Sequence, residues 1–156
     1  MINIEPVKII IPVKKKPNIK QAVPFFCVLD LERSIDYYVD GLGFVIKDQW
    51  VDEGIRRWCW LQNGGAALML QVFWKEGPHA NLPTTELGVG VNICFVCEDA
   101  LAFHQEVTAK GIRASEPFVG NQMWVTNLVD PDGYRLEFQS YTEVPEGTIY
   151  SHWKKT

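Results

Sequence analysis

Apolar and polar residues alternate along Tyr134-Arg135-Leu136-Glu137-Phe138-Gln139, the period of a strand with one buried face. Tyr134, Leu136 and Phe138 are predicted to meet a core. Arg135, Glu137 and Gln139 are predicted to meet water or a cavity, with a carboxylate at the centre. Just ahead lies Asp130-Pro131-Asp132-Gly133. Here Pro131 presets φ for a turn and Gly133 supplies a positive-φ position.

The rest of the chain can be read by the same periods. Ala22 to Leu29 is an apolar strand. Asp30 caps a helix over Leu31 to Leu42, whose apolar face is Leu31, Ile35, Tyr38 and Leu42. Gly43 ends that helix. Strands follow over Phe44 to Trp50, Arg56 to Leu61 and Ala66 to Phe73. They are joined by the turn Asp52-Glu53-Gly54 and the hairpin signal Gln62-Asn63-Gly64-Gly65. Lys75 to Leu87 carries Gly77, Pro78 and Pro83 and reads as a linker or a loop over a site.

The second half repeats the scheme. A strand over Gly88 to Cys97 leads to a helix over Glu98 to Lys110, with Leu101, His104 and Val107 toward its inner side. Gly111 stops it. Ile112 to Phe118, Met123 to Val129 and Tyr134 to Ser140 are strands. Asp30 matches Asp99, and Gly43-Phe44 matches Gly111-Ile112. The predicted class is therefore α+β, with two βαβββ modules stacked on a shared core. The expected domain covers 21–141, with modules 21–74 and 88–141. Residues 1–20 form an extension in which Pro6, Pro12 and Pro17 interrupt any helix and a short edge strand fits around Lys8 to Pro12. Residues 142–156 form a tail, with Tyr150 and Trp153 as anchors against the body or a second subunit.

Composition narrows the function. A chain of 156 residues with 47% hydrophobic and 22% charged residues suits one globular domain. A net charge of −4 argues against nonspecific binding to nucleic acid or anionic lipid. No apolar run approaches the roughly 18 residues of a membrane span, no signal-peptide core is evident, and a cytoplasmic protein is expected. Cys94 and Cys97 have C-x-x-C spacing, but three residues apart on one strand they face opposite sides. Buried free thiols are expected rather than a zinc or redox pair.

Two motifs now combine. Asp30-Leu31-Glu32-Arg33-Ser34-Ile35-Asp36-Tyr37-Tyr38, running on to Gly41-Leu42-Gly43-Phe44, and Asp130-Pro131-Asp132-Gly133-Tyr134-Arg135-Leu136-Glu137-Phe138 resemble the vicinal oxygen chelate superfamily. That superfamily includes glyoxalase I, bleomycin-resistance proteins and extradiol dioxygenases. The resemblance covers about Ala22 to Tyr141. It implies sheets that curl into a cleft with the helices outside, and a homodimer. It also implies metal ligands on the first and last strand of each module, which fall at Val23, Gln71, Asn92 and Glu137. Strand alternation agrees, grouping Gln71 with Met69 and Phe73, and Asn92 with Gly90 and Cys94.

The ligand set departs from that of the family's enzymes. Val23 has no lone pair, and Gln71 and Asn92 offer neutral amides where transition metals favour imidazole, thiolate or carboxylate. His79, His104 and His152 fall at none of these positions. The expectation is a site without a metal, with Glu137, Gln71 and Asn92 as the ligands if a divalent ion does bind. The predicted lining is Phe25, Met69 and Phe73, supported by Trp58, Trp60 or Trp124. Gln71 and Asn92 would orient a ligand. Glu137 has three readings: a general base, a hydrogen-bond acceptor for the ligand, or the partner of Arg135 or Arg57. The leading function is binding of an aromatic or amphipathic small molecule in a dimer, as in the bleomycin-resistance branch. The alternatives are a metal-dependent lyase, isomerase or dioxygenase, and a cofactor-free enzyme with Glu137 as base.

Overall fold

Two open four-stranded mixed sheets carry the fold, in the orders β1-β4-β3-β2 and β5-β8-β7-β6. The computed structural model describes residues 18–153, so the edge strand expected around Lys8 to Pro12 lies outside the described residues. The first module comprises β1 (Phe25–Val28), α1 (Leu31–Asp36), β2 (Val45–Asp52), β3 (Ile55–Asn63) and β4 (Ala66–Val72). The second comprises β5 (Asn92–Val96), α2 (Ala100–Ala109), β6 (Phe118–Gly120), β7 (Met123–Val129) and β8 (Arg135–Tyr141), followed by α3 (Tyr150–Trp153). In each module the first strand pairs parallel to the last, and the other pairings are antiparallel. Among the described residues, no helix is long and apolar enough to cross a membrane.

Local chemistry explains most element ends. The Asp30 side chain accepts from Arg33 N, and Asp99 accepts from Leu101 N and Ala102 N, so both helices have the predicted cap type. Asn63 pairs with Ala66 across the two-residue turn Gly64-Gly65, as expected from that signal. The first helix is shorter than predicted. Regular α-helix stops at Asp36, and Tyr37–Gly41 form a wider π turn, with Leu42 N bonded to Tyr37 O at 3.1 Å. The wider turn still keeps both Tyr38 and Leu42 in the core.

Two predicted strands need correction. The strand expected over Gly88 to Cys97 begins only at Asn92, because Gly88 and Gly90 both have positive φ. It ends at Val96, so Cys97 lies past it, and Cys94 is exposed rather than buried. The strand expected over Ile112 to Phe118 is mostly irregular. Ala114 makes an isolated bridge to Leu128, and the ladder starts only at Phe118, after Pro117, which has no N–H to give.

The modules share one core. Phe26, Val28, Leu61, Leu68 and Leu70 from the first sheet cluster with Phe95, Leu136 and Phe138 from the second, and with Leu31, Ile35 and Val107 from the helices. Phe26 stacks on Tyr134 at 4.2 Å, and Phe44 meets Phe95 edge-on at 5.8 Å. Polar links join the same seam. Asp132 takes Arg33 at 2.5 Å and Leu29 N at 2.9 Å, and the Tyr134 hydroxyl donates to Cys27 O at 2.8 Å. All these links lie on the helix side of the sheets. Among the described residues, the opposite faces keep several large apolar side chains exposed, Phe25 and Trp50 on the first sheet and Val129 and Tyr141 on the second.

Candidate functional site

Strand register builds the open face of the first sheet. One cross-strand row runs Trp50, Trp58, Gln71, Cys27, and the next runs Asp48, Trp60, Met69, Phe25. Directly opposed residues share a face, so three tryptophans, a methionine and a phenylalanine stand together. Their neighbours Cys59, Leu61, Leu68 and Leu70 turn the other way and are buried. Trp58, Trp60, Met69 and Gln71 are half-buried, whereas Phe25 is 50% and Trp50 46% exposed. Phe73, half-buried just past β4, shares the parity of Gln71 and is tied to β1 by its N–H to Val28 O at 3.1 Å.

A fourth tryptophan closes one end. The Trp74 ring lies 6.0 Å from that of Trp50, with the Arg57 guanidinium 5.8 Å from its centroid. Asn81 holds the loop that follows. Its Oδ1 accepts from Trp74 N at 2.7 Å, its N–H donates to Trp74 O at 3.0 Å, and its Nδ2 reaches the Cys27 sulfur at 3.9 Å. The first part of the 75–87 segment is thus fastened beside the open face. His79 lies there, exposed.

The second sheet presents a more polar face. Its rows run Asn92, Arg135, Val129 and Cys94, Glu137, Asn127. Asn92 Nδ2 donates to Glu137 Oε2 at 3.1 Å. Burial pushes the Cys94 thiol up, and the charge of Glu137 and a hydrogen bond to it push it further. Glu137 therefore takes Asn92 and Cys94, while Arg57 belongs to the first sheet. Gly90, Asn92, Asn127, Val129 and Arg135 also line a shallow hollow of about 360 Å³.

The predicted residues thus fall into two groups. Asn92, Arg135 and Glu137 come together on the second sheet. Phe25, Met69 and Gln71 come together on the first, with Phe73 next to them. Val23 precedes β1, and the residue beside Gln71 in the ladder is Cys27. Trp124 is on the wrong side for the expected lining. It opposes Ser140, is 4% exposed, and packs at 6.0 Å from Tyr150 and 5.5 Å from Trp153. The tail residues anchor against the body through that ring. His104 is a half-buried helix residue bonded to Thr126 Oγ1 at 3.2 Å, and burial lowers its pKa. Sequence reasoning missed Trp50, Trp74 and Cys27. For Trp50 the signal was its even spacing from Asp48 in a strand opposite Trp58 and Trp60.

The donors do not fit a resident metal. Val23 offers none, and Gln71 and Asn92 offer only neutral amide oxygens, which leaves Glu137 as the one charged donor of the four. Among the described residues, no group of three or more His, Cys, Asp or Glu side chains is placed to hold an ion.

Comparison with known proteins agrees with the fold. The family model of the Glyoxalase/Bleomycin resistance protein/Dioxygenase superfamily matches residues 19–138. A bleomycin-binding protein complexed with bleomycin superposes with TM-score 0.58 at 24% identity, covering 78% of this chain and 98% of that one. TnmS3, an antibiotic binding protein from Streptomyces sp. CB03234, gives TM-score 0.58 at 19% identity, with 79% and 98% covered. A glyoxalase/bleomycin resistance protein from the same Streptomyces gives 0.58 at 21%, with 76% and 98% covered. At these identities the likeness to the solved structures shows the fold alone. No curated protein sequence matches the chain. With its two modules, its paired motifs and a family match over most of its length, this chain belongs to the Glyoxalase/Bleomycin resistance protein/Dioxygenase superfamily.

Proposed function

We propose that this chain binds an aromatic or amphipathic small molecule against the open face of its first sheet, without a metal, and works as a homodimer. The observation that carries the reading is the pair of rows in which Trp50, Trp58, Trp60, Met69 and Phe25 share one face and each keep part of their surface exposed among the described residues. A face rich in rings with few polar groups is what small-molecule sites look like. The Gln71 side chain lies among the rings and is available to orient a ligand. The bleomycin-binding protein and the antibiotic binding protein that share the fold support a small-molecule ligand here too.

Pairing with a second copy is supported by what the chain leaves uncovered. Phe25, Trp50, Val96, Val129 and Tyr141 are each 46% exposed or more, and all lie on open sheet faces. Large apolar side chains left exposed on both faces are surface that a partner would cover. A second copy would set the polar face with Asn92, Arg135 and Glu137 against the aromatic face of its partner. Four unpaired cysteines suit a reducing compartment, so we place the protein in the cytoplasm.

A second reading rests on Glu137. Asn92 and Cys94 both hydrogen-bond its carboxylate, and a carboxylate held in one orientation can serve as a general base. Glu137→Gln abolishing turnover while sparing binding would support it. The metal-dependent alternative needs donors that positions 23, 71 and 92 do not supply.

The test is a titration of tryptophan emission with acidic, neutral and basic naphthalene derivatives, alongside sedimentation equilibrium. Saturable quenching and a dimer mass are expected. No saturable response to any probe ends the binding reading, and a monomer at all concentrations ends the dimer.

A further inference from the structure

Resting on the reading of the first sheet as a binding face, we infer that its ligand joins a planar aromatic body to an anionic group of the carboxylate class, and that Arg57 selects that group. The argument begins in the ladder. Register runs Trp50↔Trp58 and then Val51↔Arg56, so Arg57 is an extra residue opposite no partner. Such a bulge re-aims the side chain it carries. The Arg57 guanidinium lies 5.8 Å from the Trp74 ring, which is 6.0 Å from Trp50. A cation therefore stands at one end of the tryptophan rows.

Its charge is poorly answered within the chain. Arg33 has Asp132 at 2.5 Å and Arg56 has Glu32 at 2.8 Å, but Arg57 reaches Asp52 only at 4.0 Å. Its Nε is enclosed and, among the described residues, has no hydrogen-bond partner. An enclosed guanidinium N–H without an acceptor is costly to leave that way. The side chain as a whole keeps 27% exposure, so an incoming group can reach the fork. A planar carboxylate matches that fork by two parallel hydrogen bonds, which an amide or alcohol cannot reproduce.

Orientation follows from a second charge. Asp48 opposes Trp60, two residues along β2 from Trp50, or about 7 Å at the rise of a strand. It repels an anion from that end. Asp52 also carries a charge, at the far end, but it lies 4.0 Å from Arg57 Nε. Asp48 has no cation within 4.0 Å among the described residues. The acid is therefore directed to Arg57, and the ring system lies across Trp50 and Trp58.

The experiment compares 2-naphthoate, 2-naphthamide and 2-naphthylmethylammonium, titrated into the full chain while tryptophan emission is followed. The expected result is that naphthoate binds about tenfold more tightly than the amide, and the ammonium most weakly. Arg57→Gln should bring naphthoate to within about threefold of the amide, with folding checked by circular dichroism. Arg57→Lys, which keeps the charge and loses the fork, should fall between the two. If Arg57→Gln does not fold, the wild-type ranking and Arg57→Lys decide. The inference is overturned if amide or ammonium binds as tightly as naphthoate, or if the preference survives in Arg57→Gln. Binding of all three without preference overturns this inference alone. Binding of none overturns the binding face, and the inference falls with it.

Discussion

The hydroxyl of Tyr38 donates to the carboxylate of Asp130 at 2.9 Å, joining the helical segment of the first module to the turn that opens the last strand of the second. Tyr38 is fully buried and Asp130 is 4% exposed. The other carboxylate oxygen accepts from Asp132 N at 3.0 Å and Tyr134 N at 2.8 Å. One side chain thus shapes the Asp-Pro-Asp-Gly turn and fastens it to the neighbouring module. Tyr38→Phe removes the donor and leaves an enclosed acceptor short of a partner, at a cost of about 1–3 kcal/mol. Urea denaturation measures it, and an unchanged midpoint would refute the role of this bond.

The same carboxylate should make stability depend on pH. Burial raises the Asp130 pKa, and hydrogen bonds from Tyr134, Tyr38 and Asp132 only partly oppose the rise. A folded value above the unfolded one means a contribution that is whole below the unfolded pKa and is lost as pH rises through the folded pKa. Asp130→Asn cannot titrate. From about pH 4 upward the wild type should therefore lose stability relative to Asp130→Asn. Urea midpoints across that range check it, and a wild type that gains on the variant gives the opposite sign.

The two glycines at 88 and 133 meet where the modules are strung together. A Cβ on Gly88 would stand 2.5 Å from Gly133 O and 2.8 Å from Tyr134 Cα, and Gly88 has φ +71°. Gly77 also has positive φ, at +86°, but nothing lies within 4 Å of its Cβ position. Gly88→Ala therefore carries a collision on top of the backbone penalty. It should cost about 1–3 kcal/mol more than Gly77→Ala. Equal losses in urea melts would remove the close approach from the account.

Phenol titration reads the seam from another side. Burial, with the Asp130 charge behind it, holds Tyr37 and Tyr38 well above the ordinary phenol value and pushes Tyr134 up to about 12. Three of the five tyrosines should stay protonated in the folded protein at about pH 11. Raised phenol values mean stability that falls as pH climbs through them, so Tyr37, Tyr38 and Tyr134 should ionise together with alkaline unfolding. Absorbance near 295 nm follows both. Full ionisation of all five while circular dichroism stays native would contradict the packing.

Much of this was legible in the sequence, for local reasons. Asp30 and Asp99 are strong caps, Gly64-Gly65 makes a tight hairpin, and the alternation from Tyr134 to Gln139 survives intact as a strand with one buried face. The weaker readings depended on partners the sequence does not name. Gly88 and Gly90 look compatible with a strand until Gly133 comes against the first of them. Ile112 to Phe118 has the composition of a strand, but Pro117 cannot extend the ladder. Trp124 was misplaced because which side of β7 it takes is fixed by its opposition to Ser140, a register set between strands. Trp74 lies past the end of a strand and joins the aromatic face only because Asn81 folds the following loop back. Arg57 reaches that ring only because a bulge leaves it unpaired.

The most direct test is fluorine NMR of protein labelled with 5-fluorotryptophan, its six signals assigned by single substitutions. The tightest-binding naphthalene probe is then added. The account predicts shifts or broadening at Trp50, Trp58 and Trp74, which border the open face, with Trp124 and Trp153 unmoved on the helix side. Perturbation confined to Trp124 and Trp153, or of no tryptophan at saturating probe, would contradict it.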